Sequence, residues 1–359
     1  MKALIAMSGG VDSSVAALLT QQQGYTCIGC TMKLYDNADA LVSKNRTCCS
    51  LDDVEDARAV AFRLGVPYYV FNFSVAFRCK VIDRFVKSYE EGITPNPCID
   101  CNRYLKFEKL YERARTLGCE RIVTGHYARI EQRNGKYLLK KAQDASKDQS
   151  YVLYSMTQEQ LAHTLFPLGN LYKTQARQIA SEQGLQTAEK PDSQDICFVP
   201  NGDYAAVICN QTGRTYPSGV FRSTDGRVLG QHRGIIHYTI GQRRGLGIPS
   251  EKPLYVCRIC PEKNEVIVGS SEELLARTAL VENFHWISGE VLTAPLRCCA
   301  KIRYRQQEQP ATVYPEGEHG VRIVFDVPQR AITPGQAAVL YAGDTVLGGG
   351  EIRKADDFV

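Results

Sequence analysis

The sequence predicts an α/β protein in three parts: a Rossmann-like parallel-sheet domain, a small central domain and a C-terminal antiparallel β-barrel. Three observations predict it. Strand and helix patterns alternate through the first half. After Cys197 the character changes to Gly, Thr, Tyr and short strand-like runs. From about residue 275 short strands follow one another, separated by turns, the spacing of a small antiparallel barrel or sandwich, of which the barrel is taken. At 359 residues the chain has room for two or three domains, placed at 1–200, 201–275 and 276–359.

The elements follow in order. Residues 2–7 read as a buried strand, and the next segment as a helix ending at Gly24. Residues 25–34 are β-branched and apolar, a second strand. A helix opens at Ser50, with Asp53 three residues on as in a cap. Residues 68–73 form a third strand, 74–92 a helix, and 121–127 a further strand. Such repeated units imply a parallel sheet covered on both faces. Around Cys257 and Cys260 two strand candidates flank a polar turn. The runs RCCAKIRYRQ, ATVYPEG, GVRIVFDVP, AAVLYAG and TVLGGGEIR supply the barrel strands.

Composition bounds the function. The chain is 44% hydrophobic and 23% charged with net charge +4, an ordinary globular balance that permits nucleic acid binding without arguing for it. No apolar run reaches the length of a membrane span, and the apolar start is too short for a signal peptide, so a cytoplasmic location is the default. Fourteen cysteines in a cytosolic chain argue against a disulfide framework.

The strongest local signal is Ser8-Gly9-Gly10-Val11-Asp12-Ser13-Ser14, directly after a strand and opening a helix. Backbone N–H groups at a helix start point outward and the dipole favours an anion. Gly9 and Gly10 let the backbone approach a phosphate closely. Asp12 would repel it unless a cation such as Mg²⁺ intervenes. A plain turn is the bland alternative, but the loop lies at the carboxyl end of a strand, where open α/β sheets bind ligands. There is no GxxxxGK[ST], so this is not an ordinary P-loop NTPase.

Among the cysteines, Cys27/Cys30 and Cys257/Cys260 lie within strands, where a spacing of three turns the side chains to opposite faces. Cys98 and Cys101 follow the rigid Thr94-Pro95-Asn96-Pro97 turn and start a helix running to Gly118, so both thiols share one face. A helix N-terminus favours thiolate, and Arg103 and Lys106 add positive potential. The alternative is two ordinary helix-cap cysteines. Cys197, taken alone, reads as a buried cysteine.

The loop SGGVDSS resembles that of the N-type ATP pyrophosphatases. The segments SGGVDSSVAA, TPNPCIDCNRYLKF, TGHYA, KDQSYVLY, DSQDICF, HYTIGQRRGLGI, KIRYRQ and TPGQAAVLY resemble, in order, those of the bacterial tRNA-specific 2-thiouridylases. The resemblance covers nearly the whole chain. It implies ATP and Mg²⁺, with Ala6, Met7, Ser8, Gly9, Gly10, Val11, Asp12, Ser13, Met32 and Gly125 at the nucleotide. It implies Cys101 as nucleophile and Cys197 as persulfide carrier, which end as a disulfide that must be reduced. Some members carry Asp where this chain has Cys98, which puts carboxylate activation of Cys101 in doubt. Cys98, Cys101 and Cys197 also form a candidate ligand set for an iron–sulfur cluster.

Lys301, Arg303 and Arg305 alternate in a predicted strand, which puts them on one face with Tyr304 opposite. Such a face can track phosphates or simply be solvated. The resemblance places tRNA contacts at Arg303, Tyr304, Lys147, Asp148, Gln149, Gln336 and His126, with Asn96, Pro97 and Cys98 against a flipped wobble uridine. Gln242-Arg243-Arg244-Gly245 adds a basic loop. The implied partners are the lysine, glutamate and glutamine tRNAs and a cysteine desulfurase or sulfur relay. GMP, NAD and argininosuccinate synthetases share the loop but need no thiol pair, and a non-catalytic thiol-rich carrier would leave the loop unexplained.

Overall fold

The computed structural model describes residues 1–35, 51–192, 196–199 and 202–356. The expected helix cap at Ser50 and the pair Cys48-Cys49 lie outside these. Five parallel strands form the N-terminal sheet: β1 (Lys2–Ala6), β2 (Thr26–Lys33), β3 (Tyr68–Asn72), β4 (Arg121–Val123) and β7 (Thr164–Leu165). Their order is β3-β2-β1-β4-β7. The chain builds outward from β1 in one direction and returns to pair β4 on its other side. This reversal opens a crevice at the carboxyl ends of β1 and β4, the usual ligand position in such sheets. Leu4, Ile5, Ile122 and Val123 are fully buried between the helical layers. The strand expected over 121–127 stops at Val123, and Thr124, Gly125 and His126 form a loop into the crevice.

A second sheet, β8 (Gly219–Ser223), β9 (Val228–His232), β10 (Tyr255–Cys260) and β11 (Glu265–Gly269), has the order β10-β11-β8-β9. It closes around Phe221, Tyr238, Val256, Val266 and Val268. The third sheet contains β12 (Leu275–Trp286), β13 (Leu296–Lys301), β14 (Gln309–Glu316), β15 (Gly320–Arg330), β16 (Ala337–Ala342) and β17 (Thr345–Asp356). Pairing of β12 with β17 closes it into an antiparallel barrel.

The sheet has two further members that come from the first half of the chain. The hairpin β5 (Arg129–Arg133) and β6 (Lys136–Lys140) pairs through Lys140 with Thr345 of β17. Its turn is Asn134-Gly135, both at positive φ, the geometry that tight two-residue hairpins require. Arg129 anchors it to the barrel through Asp344, 2.9 Å away.

The run from Arg297 to Gln306 departs from expectation. The strand ends at Lys301, and residues 302–306 turn, with Gln306 N–H donating to Arg303 C=O. Lys301, Arg303 and Arg305 therefore do not share a strand face. Ile302 is buried, and the Arg303 guanidinium is drawn to Ala331 O and Thr333 Oγ1, both at 2.9 Å.

A tight turn of the barrel also docks on the N-terminal domain. Thr94 N–H donates to Pro334 O at 3.0 Å, and Gln336 Nε2 donates to Thr94 O at 2.8 Å. Gly335 lies between them at φ +87°, where a Cβ would run into Ile93 and come within 2.9 Å of Thr94 O. A side chain there is excluded both by conformation and by space. Gly335→Ala is expected to lower stability by about 1–3 kcal/mol in urea unfolding, with the loss carried by the barrel–domain contact. Wild-type stability in this variant would contradict the docking geometry.

Candidate functional site

The phosphate loop is built from close packing. Gly9 has φ +73°, and a Cβ on it would strike the backbone of Asp53 in the helix Leu51–Arg63. A Cβ on Gly125 would lie 2.8 Å from both Asp12 C and Ser13 N. The loops after β1 and β4 thus touch at backbone level, which only glycine allows. The helix Val11–Gln22 starts at Gly10, which has no side chain to cap it, so its first N–H groups stay available to an anion. Ser13 Oγ accepts from Ser8 N–H at 3.1 Å and donates to Gly10 O at 3.0 Å, which fixes the loop.

Charges around the loop are paired over long sequence distances. Both Asp12 carboxylate oxygens accept from Lys173 Nζ, at 2.7 and 2.8 Å, and Tyr127 OH donates to Asp12 Oδ1 at 2.9 Å. Lys173 Nζ also reaches Asp192 Oδ1 at 2.8 Å. Burial works to raise the Asp192 pKa, but hydrogen bonds from Lys173 and Lys147 outweigh it and hold it at about 2. Lys190 Nζ donates to Gly9 O at 3.1 Å and to Asp53 and Asp56 at 2.6 Å each. Neutralisation of Asp12, expected from a cation, is supplied in this structure by Lys173.

A cavity of about 1200 Å³ opens from this loop. Its walls include Ala6, Met7, Ser8, Asp12, Ser13, Met32, Gly125 and His126 at one end. Asn96, Pro97, Cys98, Cys101 and Cys197 line it as well, together with Arg303, Tyr304 and Gln336 from the barrel. Sequence-predicted residues from all three regions of the chain are thus brought to one space. Gly9, Gly10 and Val11 sit behind its wall. Lys147 and Asp148 do not line it: Lys147 pairs with Asp192 at 2.9 Å, while Asp148 accepts from Ser150 Oγ at 2.8 Å and Ala142 N–H at 2.9 Å. Gln149 does line it and braces the crevice loop by accepting from Tyr127 N–H. The segment after Gln149 is a single 3₁₀ turn, Ser150–Leu153.

Cys101 stands on the helix expected after the Thr94-Pro95-Asn96-Pro97 turn. Residues 97–116 run as one helix, of which Cys101–Lys109 is wound as a π-helix. Such windings are frequent at functional sites. Arg103, expected to add charge beside the thiols, instead packs over Tyr104 and Tyr154. Asn102 is 3% exposed, donates to Val152 O at 3.1 Å, and leaves its Oδ1 without a partner. A carbonyl can only accept, so this contact fixes the amide's orientation. An orphaned buried acceptor in a cavity wall is the kind of group a ligand satisfies. Among the described residues, no three His, Cys, Asp or Glu side chains gather to hold a metal ion.

Sequence reasoning missed Lys173, Tyr127, Lys190 and Asp192 as partners of the loop, and Arg233 and His237 as lining residues from the central region. No local motif announces ion pairs of this kind. The Asn134-Gly135 turn, by contrast, was a visible hairpin signal.

A family model described as a tRNA methyl transferase HUP domain matches residues 1–201. Others, described as a tRNA methyl transferase PRC-barrel domain and an aminomethyltransferase beta-barrel domain, match 207–270 and 276–352. The chain is 50% identical over 356 residues to a protein of Clostridioides difficile named tRNA-specific 2-thiouridylase MnmA, covering 99% of this chain and 98% of that one. A protein of the same name from Symbiobacterium thermophilum is 50% identical over 360 residues, covering 99% and 92%. One from Clostridium acetobutylicum is 48% identical over 352 residues, covering 98% and 99%.

Asp100, between the two cysteines, is buried against Arg84, whose Nε lies 3.4 Å from its Oδ2. Burial raises its pKa to about 6, against the pull of Arg84 and Arg103. With the folded value above the unfolded one, its contribution to stability is full below about pH 4 and is lost as pH rises through 6. Wild type should therefore gain on Asp100→Asn by about 1.4 kcal/mol as pH falls from 7.5 to 5, read by denaturant unfolding. A pH-independent difference would contradict this burial.

Proposed function

The chain belongs to the family of tRNA-specific 2-thiouridylases, and on that premise we propose a residue-level account of how it converts the wobble uridine of tRNA to 2-thiouridine. The enzyme is an ATP-dependent tRNA-uridine 2-sulfurtransferase. The single cavity shared by phosphate-loop residues and three cysteines carries the account. The family-model descriptions speak of methyl transfer and the relatives' names of thiolation. Two thiols beside an ATP-type loop are what sulfur transfer requires and methyl transfer does not.

In this account the loop from Ala6 to Ser13 takes ATP, its β- and γ-phosphates on the exposed N–H groups of the helix start, with Met32 and Gly125 flanking the base. Asp12 would hold Mg²⁺, which neutralises phosphate charge. The uridine, flipped against Asn96, Pro97 and Cys98, presents its O2 to the α-phosphorus. A new O–P bond forms and pyrophosphate leaves. The amide-like oxygen, a poor leaving group, has become part of AMP, a good one.

Cys197 carries a persulfide loaded by a cysteine desulfurase or a relay from one. Its terminal sulfur attacks C2, and AMP departs with the former uridine oxygen. Cys101 then attacks the Cys197 sulfur, which frees the 2-thiouridine and leaves a Cys101–Cys197 disulfide for an external reductant. Released hydrosulfide, formed when Cys101 attacks first, gives the same products. His126 and Gln149 line the pocket end, and Arg303, Tyr304 and Gln336 present the barrel to tRNA. Lys147 and Asp148 shape the loop beneath. The substrates are the lysine, glutamate and glutamine tRNAs, in the cytoplasm. No helix among the described residues is long and apolar enough to cross a membrane.

Unmodified tRNA incubated with enzyme, Mg-ATP and a sulfur donor should yield 2-thiouridine in a mass-spectrometric digest. Cys101→Ser and Cys197→Ser should each lower the yield by at least about a hundredfold. Full activity in either variant would remove that thiol from the mechanism, and ATP consumption without thiolated base in wild type would make the substrate wrong.

A further inference from the structure

The cavity wall contains a cation that the account above leaves without a role. Lys106 lines the cavity, and among the described residues no carboxylate pairs with it. Its recorded contact is to His126 Nε2, at 3.5 Å. An ammonium group can only donate, so Nε2 must accept, and the neutral ring carries its proton on Nδ1. Nδ1 in turn faces Thr124 Oγ1 at 2.7 Å. Phe107 and Phe166 pack on the imidazole, with centroids 6.1 and 5.9 Å away. Burial, then Lys106 itself, pushes the His126 pKa well down, so the ring stays neutral. Thr124, His126 and Lys106 thus form a rigid chain that points an uncompensated positive charge into the cavity.

The winding of the helix decides where that charge stands. Lys106 is five residues beyond Cys101, both in the π-helical stretch. With i to i+5 bonding, the two fall about one turn apart on the same side. In an α-helix, at about 100° per residue, Lys106 would lie about 140° around the axis from Cys101. The neighbour of His126, Gly125, is pressed against the Asp12–Ser13 backbone. The Lys106–His126 pair therefore stands between the phosphate loop and the thiols.

We propose that Lys106 is a catalytic residue of the adenylation step, its ammonium donating to the non-bridging oxygens of the α-phosphate as the uridine oxygen attacks. The inference rests on the functional reading above. The α-phosphorus must lie between the β,γ-phosphates, held by the loop, and the base, held near Cys98 and Cys101. Negative charge builds on its equatorial oxygens during attack and persists on AMP as it leaves. A half-buried ammonium fixed at that point is worth more in the transition state than in bound ATP. His126 is a positioning residue: it holds the ammonium without neutralising it, which a carboxylate there would do.

Lys106→Met should bind Mg-ATP with a Kd within about twofold of wild type while AMP release with tRNA in a single turnover falls at least about a hundredfold. Lys106→Arg should recover about tenfold or more of that loss, which a packing defect would not allow. His126→Asn, which keeps an acceptor, should lose less than His126→Leu. Single-turnover rates within about threefold of wild type for Lys106→Met, or a loss matched by weakened ATP binding, would overturn the assignment. Wild type that releases no AMP with tRNA would overturn the adenylation reading and this inference with it, whereas normal wild-type release beside an active Lys106→Met removes the inference alone.

Discussion

The fold depends on the contact at Thr94, where the barrel meets the segment leading into the cysteine-bearing helix. Two hydrogen bonds, Pro334 O from Thr94 N–H and Thr94 O from Gln336 Nε2, join regions 240 residues apart in sequence. Gly335 keeps the approach close enough for both. Beside them Thr94 Oγ1 donates to Thr239 Oγ1 at 3.3 Å, so the central region is tied to the same spot. A rigid Pro95-Asn96-Pro97 turn then carries the position of this anchor into Cys98 and Cys101. The cavity forms where the barrel and the central region are both tied to this one segment of the N-terminal domain.

Charge shapes the other end of the cavity. Asp12, Asp53, Asp56 and Asp192 gather around a loop that must receive a polyanion. Lys173, Lys190, Lys147 and Arg177 are interleaved with them at 2.6–2.9 Å. Lys173 touches both Asp12 and Asp192, so it can remain paired with the second when the first turns to another cation. Partly buried networks of this kind cost desolvation, which is offset only when every member is paired. The loop is thereby rigid before any ligand arrives, which spares the ordering cost on binding. Lys106 differs from these cations in having an imidazole rather than a carboxylate beside it.

Much of this was legible in the sequence because it is local. Ser8–Ser14 announces itself by glycines between a strand and a helix, and the strand–helix alternation gives the parallel sheet. The Cys98/Cys101 spacing after a double-proline turn marks a helix start. The missing parts are those with no local signature. The Lys173–Asp12 pair spans 161 residues. The π winding of Cys101–Lys109 leaves the same apolar pattern as an α-turn. Arg303 reads as one rung of a basic strand, but backbone carbonyls of two other segments capture it and end the strand at Lys301. The Asn-Gly turn marks the Arg129–Lys140 hairpin locally, but its pairing with β17 of the barrel has no local signature.

The central claim is that the uridine oxygen itself is activated in the cavity that holds the thiols. Transcribed tRNA labelled with ¹⁸O at the wobble O2 tests it most directly. One turnover with unlabelled ATP and a sulfur donor, followed by mass spectrometry of the nucleotide products, locates the label. The account predicts one ¹⁸O atom in AMP for each 2-thiouridine formed, because the C2–O bond breaks and the O–P bond stays. Thiolated tRNA accompanied by unlabelled AMP, with the ¹⁸O in water, would contradict it.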